Sequence, residues 1–196
     1  MTVIGLTGSF GTGKTFVASI FKSLGAKIID ADAISHCVIK KGRPAYNRII
    51  AAFGKDILDK AMEIDRRKLA GSVFISKAAL AKLNRIVHPE VIRVIRAKIK
   101  TADKNAVLVI DAPLLVEAGL LNIIDKLVVV KSSKKRQIER CIKKFCIKRA
   151  EVLRRIENQM SMKRKLKMAD FVVQNNSTPE ATRNRVRKVW EEIVWR

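Results

Sequence analysis

The 196 residues carry 41 lysines and arginines against 18 aspartates and glutamates, a formal net charge of +23 at neutral pH. Hydrophobic residues make up 48% and are spread along the chain, which suits one compact domain with a full core and excludes a disordered polyelectrolyte. No apolar run approaches the roughly 20 residues that a membrane-spanning helix needs, and the charge favours anionic partners without choosing among them.

Thr2 to Thr7 is apolar and β-branched and reads as a first strand. It lacks the basic lead-in and cleavage site of a signal peptide. The three cysteines, Cys37, Cys141 and Cys146, show no CxxC spacing; free thiols of this kind point to a reducing, cytoplasmic setting. After the strand comes a glycine-rich turn, then a helical pattern from Gly13 to Leu24, with Gly25 as its stop. Ala26 to Ile29 reads as a second strand ending at Asp30. Strand, turn, helix and strand make the opening βαβ unit of a parallel sheet.

The turn itself, Gly8-Ser9-Phe10-Gly11-Thr12-Gly13-Lys14-Thr15, satisfies the G-x-x-x-x-G-K-[ST] pattern in full and in the required context. Glycines let successive backbone N–H groups curl around phosphate oxygens, and the helix N-terminus adds its positive dipole end. Lys14 is placed to reach the β- and γ-phosphates of ATP, and the Thr15 hydroxyl to ligate Mg²⁺. Gly8, Gly11, Thr12, Gly13, Lys14, Thr15 and Phe16 are the candidate ATP contacts. By itself the loop means a nucleoside triphosphate and leaves kinase, GTPase, motor and transporter ATPase open. A chain of this length with two helical insertions fits a small-molecule kinase better than a motor.

Asp32 to Asn105 reads as a long helical stretch, clearest from Ser76 to Lys100, where Leu80, Leu83, Ile86 and Val87 share a face. Pro89 is expected to kink or interrupt that helix at His88. The stretch far exceeds the dozen or so residues of a crossover and is long enough to be a lobe. Continuous apolar runs at Ala106 to Ile110, Leu127 to Val130 and Phe171 to Val173 suit central strands covered on both faces. A basic helical segment runs from Lys134 to Met168. The last helix, Pro179 to Trp195, carries Val186, Val189, Trp190 and Ile193 at spacings that pack it on the sheet. No repeat, low-complexity tract or linker divides the chain.

In open α/β sheets the site lies at the carboxyl ends of the strands. Asp30 and Asp32 end the second strand on this reading and Asp111 the third, so these acids should point toward the phosphate loop. A kinase needs one carboxylate to take the proton of the acceptor hydroxyl and another to help hold Mg²⁺. Asp32 and Asp111 are candidates for these tasks. Asp30 also suits a helix N-cap, and Asp111 a turn residue before Pro113.

These residues resemble the dephospho-CoA kinase family. Ile4-Gly5-Leu6-Thr7-Gly8 resembles that family's start, and Ile29-Asp30-Ala31-Asp32 its DAD element. Leu83-Asn84-Arg85-Ile86-Val87-His88-Pro89 resembles its HP motif, and Asp111-Ala112-Pro113-Leu114-Leu115-Val116-Glu117 its D-x-P-L-L-x-E signature. Gln137 with Arg140, then Arg155 through Gln159-Met160, resembles its lid, and Ala169-Asp170 followed by Asn175 its closing strand.

The resemblance implies an ATP-dependent kinase that phosphorylates the ribose 3′-hydroxyl of dephospho-CoA, with Mg²⁺ as cofactor. The implied fold is a three-layer α/β/α domain of the P-loop kinase type with a mainly five-stranded parallel sheet. Its nucleotide core would comprise 1–31, 105–133 and 169–196, its helical acceptor lobe 32–104, and its lid 134–168. Asp32 would be the base, with Lys14 and the lid's Arg140 as the catalytic cations. Thr7, His88, Asp111, Leu114, Leu115 and Glu117 would line or support the acceptor site, Lys144 and Arg155 would belong to the lid, and Thr15 with Asp111 would serve the metal. The partners expected are ATP and dephospho-CoA, with no membrane and no specific nucleic acid; a monomer is expected.

Several positions depart from the family pattern. Phe10 replaces a smaller aliphatic residue, Thr12 and Thr15 replace serines, His36 stands where an arginine often follows the DAD element, and Lys144 takes a lid position where arginine is usual. Two rival functions stay open on sequence alone. One is a kinase acting on a nucleotide or nucleoside. The other is a nucleic-acid-stimulated NTPase, suggested by the charge but not by the aromatic content of 5%.

Overall fold

The computed structural model describes residues 1–73 and 76–194. Its first element, β1 (Thr2–Gly8), is buried along nearly its whole length, as a β-branched run without polar alternation should be. The helix α1 (Lys14–Ser23) follows, with Val17, Ala18, Ile20 and Phe21 buried at helical spacing. Its stop is at Leu24 and Gly25, the latter with φ of +105°, which an L side chain rarely adopts. Then come β2 (Lys27–Asp30) and the short helix α2 (Ala31–Val38). Sequence reading put Asp32 at the end of the second strand. The strand closes two residues earlier, and Asp32 stands in the first turn of α2, where the alanines of Ala31-Asp32-Ala33 favour a helix and an acid suits the dipole.

The chain continues through α3 (Pro44–Phe53), α4 (Arg66–Val73) and α5 (Lys77–Lys100), then β3 (Val107–Asp111), β4 (Lys126–Lys131), α6 (Lys134–Phe145), α7 (Arg149–Glu157), α8 (Met162–Met168), β5 (Phe171–Gln174) and α9 (Pro179–Val194). The final position expected of the last helix, Trp195, lies outside the described residues. These elements form two compact units, one of Met1–Asp30 with the described residues from Ala102 onward, the other of the described residues between Ala31 and Thr101.

In the first unit five strands form one sheet in the order β2-β3-β1-β4-β5, every ladder parallel. The architecture is a three-layer α/β/α sandwich. Ile4 and Leu6 of β1, Val109, Val128, Val130 and Val173 meet α1 and α9 in one core, where Phe21 lies tilted against Trp190 at 6.3 Å between ring centroids. A fully buried side chain of this size contributes about 1.5–3 kcal/mol. Because β3 and β4 flank β1 on opposite sides, the chain reverses its direction of growth at β1, the place where such sheets bind ligands. The Asp125 carboxylate accepts from the Val3 N–H at 2.7 Å, and that of Asp170 from Leu127 N–H at 2.7 Å.

The helices α6 and α7 share a small cluster of Ile138, Cys141 and Val152, joined by Phe10, Ile147, Leu153 and Ile156. Ser133 and Ser161 cap α6 and α8, accepting from the N–H groups of Arg136 and Arg164.

The second unit is helical, with Ala45, Tyr46, Ile49, Ile57, Leu69, Val73 and Ile86 at its centre. Ser76 caps α5 by accepting from Ala79 N–H at 3.1 Å. The expected interruption at His88 does not occur: α5 runs through Pro89 for 24 residues. Proline costs the helix one N–H bond and crowds one carbonyl, whereas Ile86, Val91 and Ile95 on both sides of it stay buried and hold the two halves in one helix. Among the described residues no helix is long and apolar enough to cross a membrane.

Candidate active site

Gly13 is the N-cap of α1 with φ 85° and ψ 28°, a left-handed conformation that any side chain strains. A Cβ there would also collide with the Asn175 amide nitrogen. Two requirements, backbone and space, thus converge on the glycine of the loop's G-K-T end. Thr12 is fully buried; its hydroxyl and its N–H both donate to the Ser9 carbonyl, at 2.9 and 3.2 Å, which closes the turn. The first N–H groups of α1 have no acceptor within their own helix and form the donor set expected of a phosphate cradle.

Lys14, the first residue of α1, is ion-paired with Asp111, the last residue of β3. Both side chains are largely buried, at 14% and 12% exposure, so the pair is only weakly screened. Asp111 stands level with Leu6 of β1 and with Asp30 of β2. Thr15 is exposed on the first turn of α1. Phe16 is half-buried, packed on the core with the Arg183 guanidinium 5.4 Å from its ring centroid.

One rung beyond Leu6, Thr7 is fully buried and donates to the Pro113 carbonyl at 3.1 Å. The same carbonyl accepts from the Lys165 ammonium at 2.6 Å. Lys165 also lies 3.1 Å from a Glu117 carboxylate oxygen, which accepts from Met160 N–H at 2.9 Å as well. Burial pushes the Lys165 amine below its ordinary pKa, Glu117 pulls it back up, and the nearby Lys14 charge lowers it further. Within the same loop Leu115 is fully buried, whereas Leu114 is exposed.

Arg140, on α6, donates to the Thr12 carbonyl at 3.2 Å and to the Asn175 carbonyl at 2.9 Å. Asn175, just after β5, donates its amide to the Thr12 carbonyl at 2.9 Å and accepts from the Thr182 hydroxyl at 3.1 Å. Burial, with Arg136 nearby, lowers the Arg140 pKa. Phe10 stacks on Phe145 at 5.4 Å, with the Arg155 guanidinium 5.2 Å from the Phe10 centroid, and the Phe10 N–H donates to Gln159 at 2.9 Å. Arg155 also pairs with Glu151 at 2.9 Å, and Lys144 is exposed beside the Phe145 ring. The aromatic residue that departs from the family pattern therefore helps to tie the phosphate loop to α6 and α7.

Thr7, Lys14, Asp111, Glu117 and Arg140 all belong to the first unit: Thr7 and Glu117 meet through Lys165, Lys14 pairs with Asp111, and Arg140 holds the Thr12 carbonyl. Asp32 and His88 belong to the second: Asp32 is exposed on α2, and His88 is half-buried on α5 with its pKa lowered by burial. His36 is exposed in the last turn of α2. Sequence reading missed Lys165 and Thr182 altogether. For Lys165 a signal existed: Met162, Lys165, Leu166 and Ala169 are the less exposed positions around α8, so a lysine stands at an apolar site of the helical pattern.

A family model for Dephospho-CoA kinase matches residues 2–180. The chain is similar to the Dephospho-CoA kinase of Carboxydothermus hydrogenoformans, at 38% identity covering 100% of this chain and 96% of the relative. It is also similar to the Dephospho-CoA kinase of Aquifex aeolicus, at 39% identity covering 99% and 98%. Among solved structures, the Dephospho-CoA kinase from Campylobacter jejuni superposes with a TM-score of 0.74 at 29% identity, covering 98% of this chain and 97% of that one.

Proposed function

This chain belongs to the dephospho-CoA kinase family, whose members use ATP to phosphorylate dephospho-CoA in the last step of coenzyme A synthesis, and we propose how its own residues divide that work. The single observation that carries the reading is the Lys14–Asp111 pair at the head of an intact phosphate loop.

The loop from Gly8 to Thr15 cradles the ATP phosphates with backbone N–H groups, and Lys14 turns from Asp111 to the β- and γ-phosphate oxygens. Asp32 accepts the proton of the ribose 3′-hydroxyl as its oxygen attacks phosphorus in line. Support comes from its place in the first turn of α2, two residues after β2 ends. Arg140 covers the charge spread over the phosphoryl oxygens, leaving the Thr12 and Asn175 carbonyls to do so. Lys144 and Arg155 act with it as lid cations. Thr7, His88, Leu114, Leu115 and Glu117 line or support the acceptor. The nucleotide core, acceptor lobe and lid correspond to 1–31 with 105–133 and 169–196, to 32–104, and to 134–168.

The Thr15 hydroxyl and the Asp111 carboxylate are hard oxygen donors, the chemistry Mg²⁺ takes when it arrives with nucleotide phosphates. Bound there, the ion would supply charge neutralisation for the nucleotide phosphates. Thr15 and Asp111 would be the residues that hold it, and Asp111 would then be shared between Lys14 and the ion.

The test is ADP release from purified protein and Mg-ATP, with and without dephospho-CoA, and the mass of the product. Acceptor-dependent ADP with a product heavier by one phosphoryl group supports the reading. ADP release that dephospho-CoA leaves unchanged would refute it.

A further inference from the structure

Lys165 is fully buried, and a lysine out of water needs a reason. Replacing a buried ion pair by apolar groups of similar volume is often neutral or stabilising, so stability alone does not explain an ammonium here. Its partners suggest what does. They come from two separate segments: the Thr7 hydroxyl at 3.5 Å from the end of β1, and the Pro113 carbonyl at 2.6 Å and the Glu117 carboxylate at 3.1 Å from the loop after β3. Lys165 itself belongs to α8, beyond the helices α6 and α7. Thr7 and Lys165 share the Pro113 carbonyl, so the loop is held from two sides.

We propose that Lys165 is a positioning residue for phosphoryl transfer, whose buried ammonium fixes the Ala112–Glu117 loop on Thr7 and thereby sets the stance of Asp111 and Glu117. Pro113 is two residues after Asp111, the carboxylate paired with Lys14, so displacement of the Pro113 carbonyl is passed along two peptide units to the head of the phosphate loop. At the other end of the loop, Glu117 is gripped by Lys165 and by the Met160 N–H together, which joins the acceptor-side loop to the segment leading out of α7. With no exposed surface, Lys165 touches neither substrate and acts only through these groups. The role rests on the kinase reading above.

The experiment compares wild type with Lys165→Met and Lys165→Gln. Methionine keeps the unbranched bulk without charge or donor; glutamine keeps a donor for the Pro113 carbonyl. ATP affinity is measured by equilibrium titration, and kcat and KM by dephospho-CoA-dependent ADP release. For a folded Lys165→Met protein the expected result is ATP affinity within about threefold of wild type and kcat lower by about 100-fold, the scale of loss that a misplacement of about 1 Å produces. Lys165→Gln should recover part of that loss, roughly tenfold, which a pure packing role would not allow. Unchanged kcat in folded Lys165→Met, or a glutamine variant no better than methionine, overturns the proposal. If Lys165→Met gives no cooperative melt, Lys165→Gln decides alone: kcat within twofold of wild type overturns the role, and a loss with ATP affinity kept supports it. A wild type without acceptor-dependent ADP release brings down the kinase reading and this role together. An active wild type with indifferent variants brings down only the role of Lys165.

Discussion

Lys14 and Asp111 neutralise one another at the head of the phosphate loop, with both side chains largely out of water. Incoming ATP therefore competes with a carboxylate for the lysine, and the carboxylate also repels the phosphates. Asp111→Asn removes the competitor and the repulsion together. It is expected to bind metal-free ATP about tenfold more tightly, roughly 1.4 kcal/mol, while losing most turnover with Mg-ATP. Titration in the presence of a chelator measures the first effect. Weaker binding there would mean that Asp111 orients Lys14 instead of competing for it.

Asp32 is proposed as the base, and it belongs to α2, not to the phosphate loop. Asp32→Asn should therefore leave ATP affinity within about twofold and lower kcat by roughly 100- to 10,000-fold, the usual worth of a general base. Near-normal turnover would remove Asp32 from that role.

Asn175 places one amide donor on the Thr12 carbonyl and offers its own oxygens to Arg140 and Thr182. Asn175→Ala takes one donor from the Thr12 carbonyl, which keeps Arg140, and one acceptor from the Thr182 hydroxyl, which keeps the Thr178 carbonyl. A loss of roughly 0.5–1.5 kcal/mol per hydrogen bond removed is expected, together with a raised KM for ATP. Thermal melts and ATP kinetics check the two halves separately; an unchanged melting temperature would show that water replaces the amide.

His88 has its pKa lowered by burial. The unfolded chain then binds the proton more readily than the fold does, so stability rises with pH through this group. Its contribution is complete above the unfolded value of about 6.5 and is lost as pH falls below it. Between pH 7.5 and pH 5.5 the wild-type melting temperature should drop further than that of His88→Gln. Equal drops would show that the histidine is no more buried from protons in the fold than in the unfolded chain.

The phosphate loop was legible because everything it needs is local: a strand, a glycine turn and a helix within Thr2–Ser23. The strands were legible as apolar runs, off by a residue or so at their ends. Lys165 was legible only as a lysine on the apolar side of a helical pattern; what its ammonium binds is decided by partners 52 and 158 residues away in sequence. Pro89 misled for a related reason. Its local cost is visible in the chain, while the burial of Ile86, Val91 and Ile95 that outweighs it is a property of the packed lobe. Asn175 could be matched to a closing strand, but its grip on Thr12, Arg140 and Thr182 exists only once the strand has closed.

The contact between Thr12 and Asn175 spans 163 positions of the chain, and that between Thr7 and Lys165 spans 158. During synthesis β1 leaves the ribosome first, yet it is the central strand, and its neighbours β3 and β4 are made much later. At ordinary elongation rates the nucleotide loop waits on the order of ten seconds or more for the residues that lock it. Throughout that interval the nascent chain carries the G-x-x-x-x-G-K-T letters without the device they spell, and a ribosome that stalls before codon 175 releases a protein with the motif and no latch.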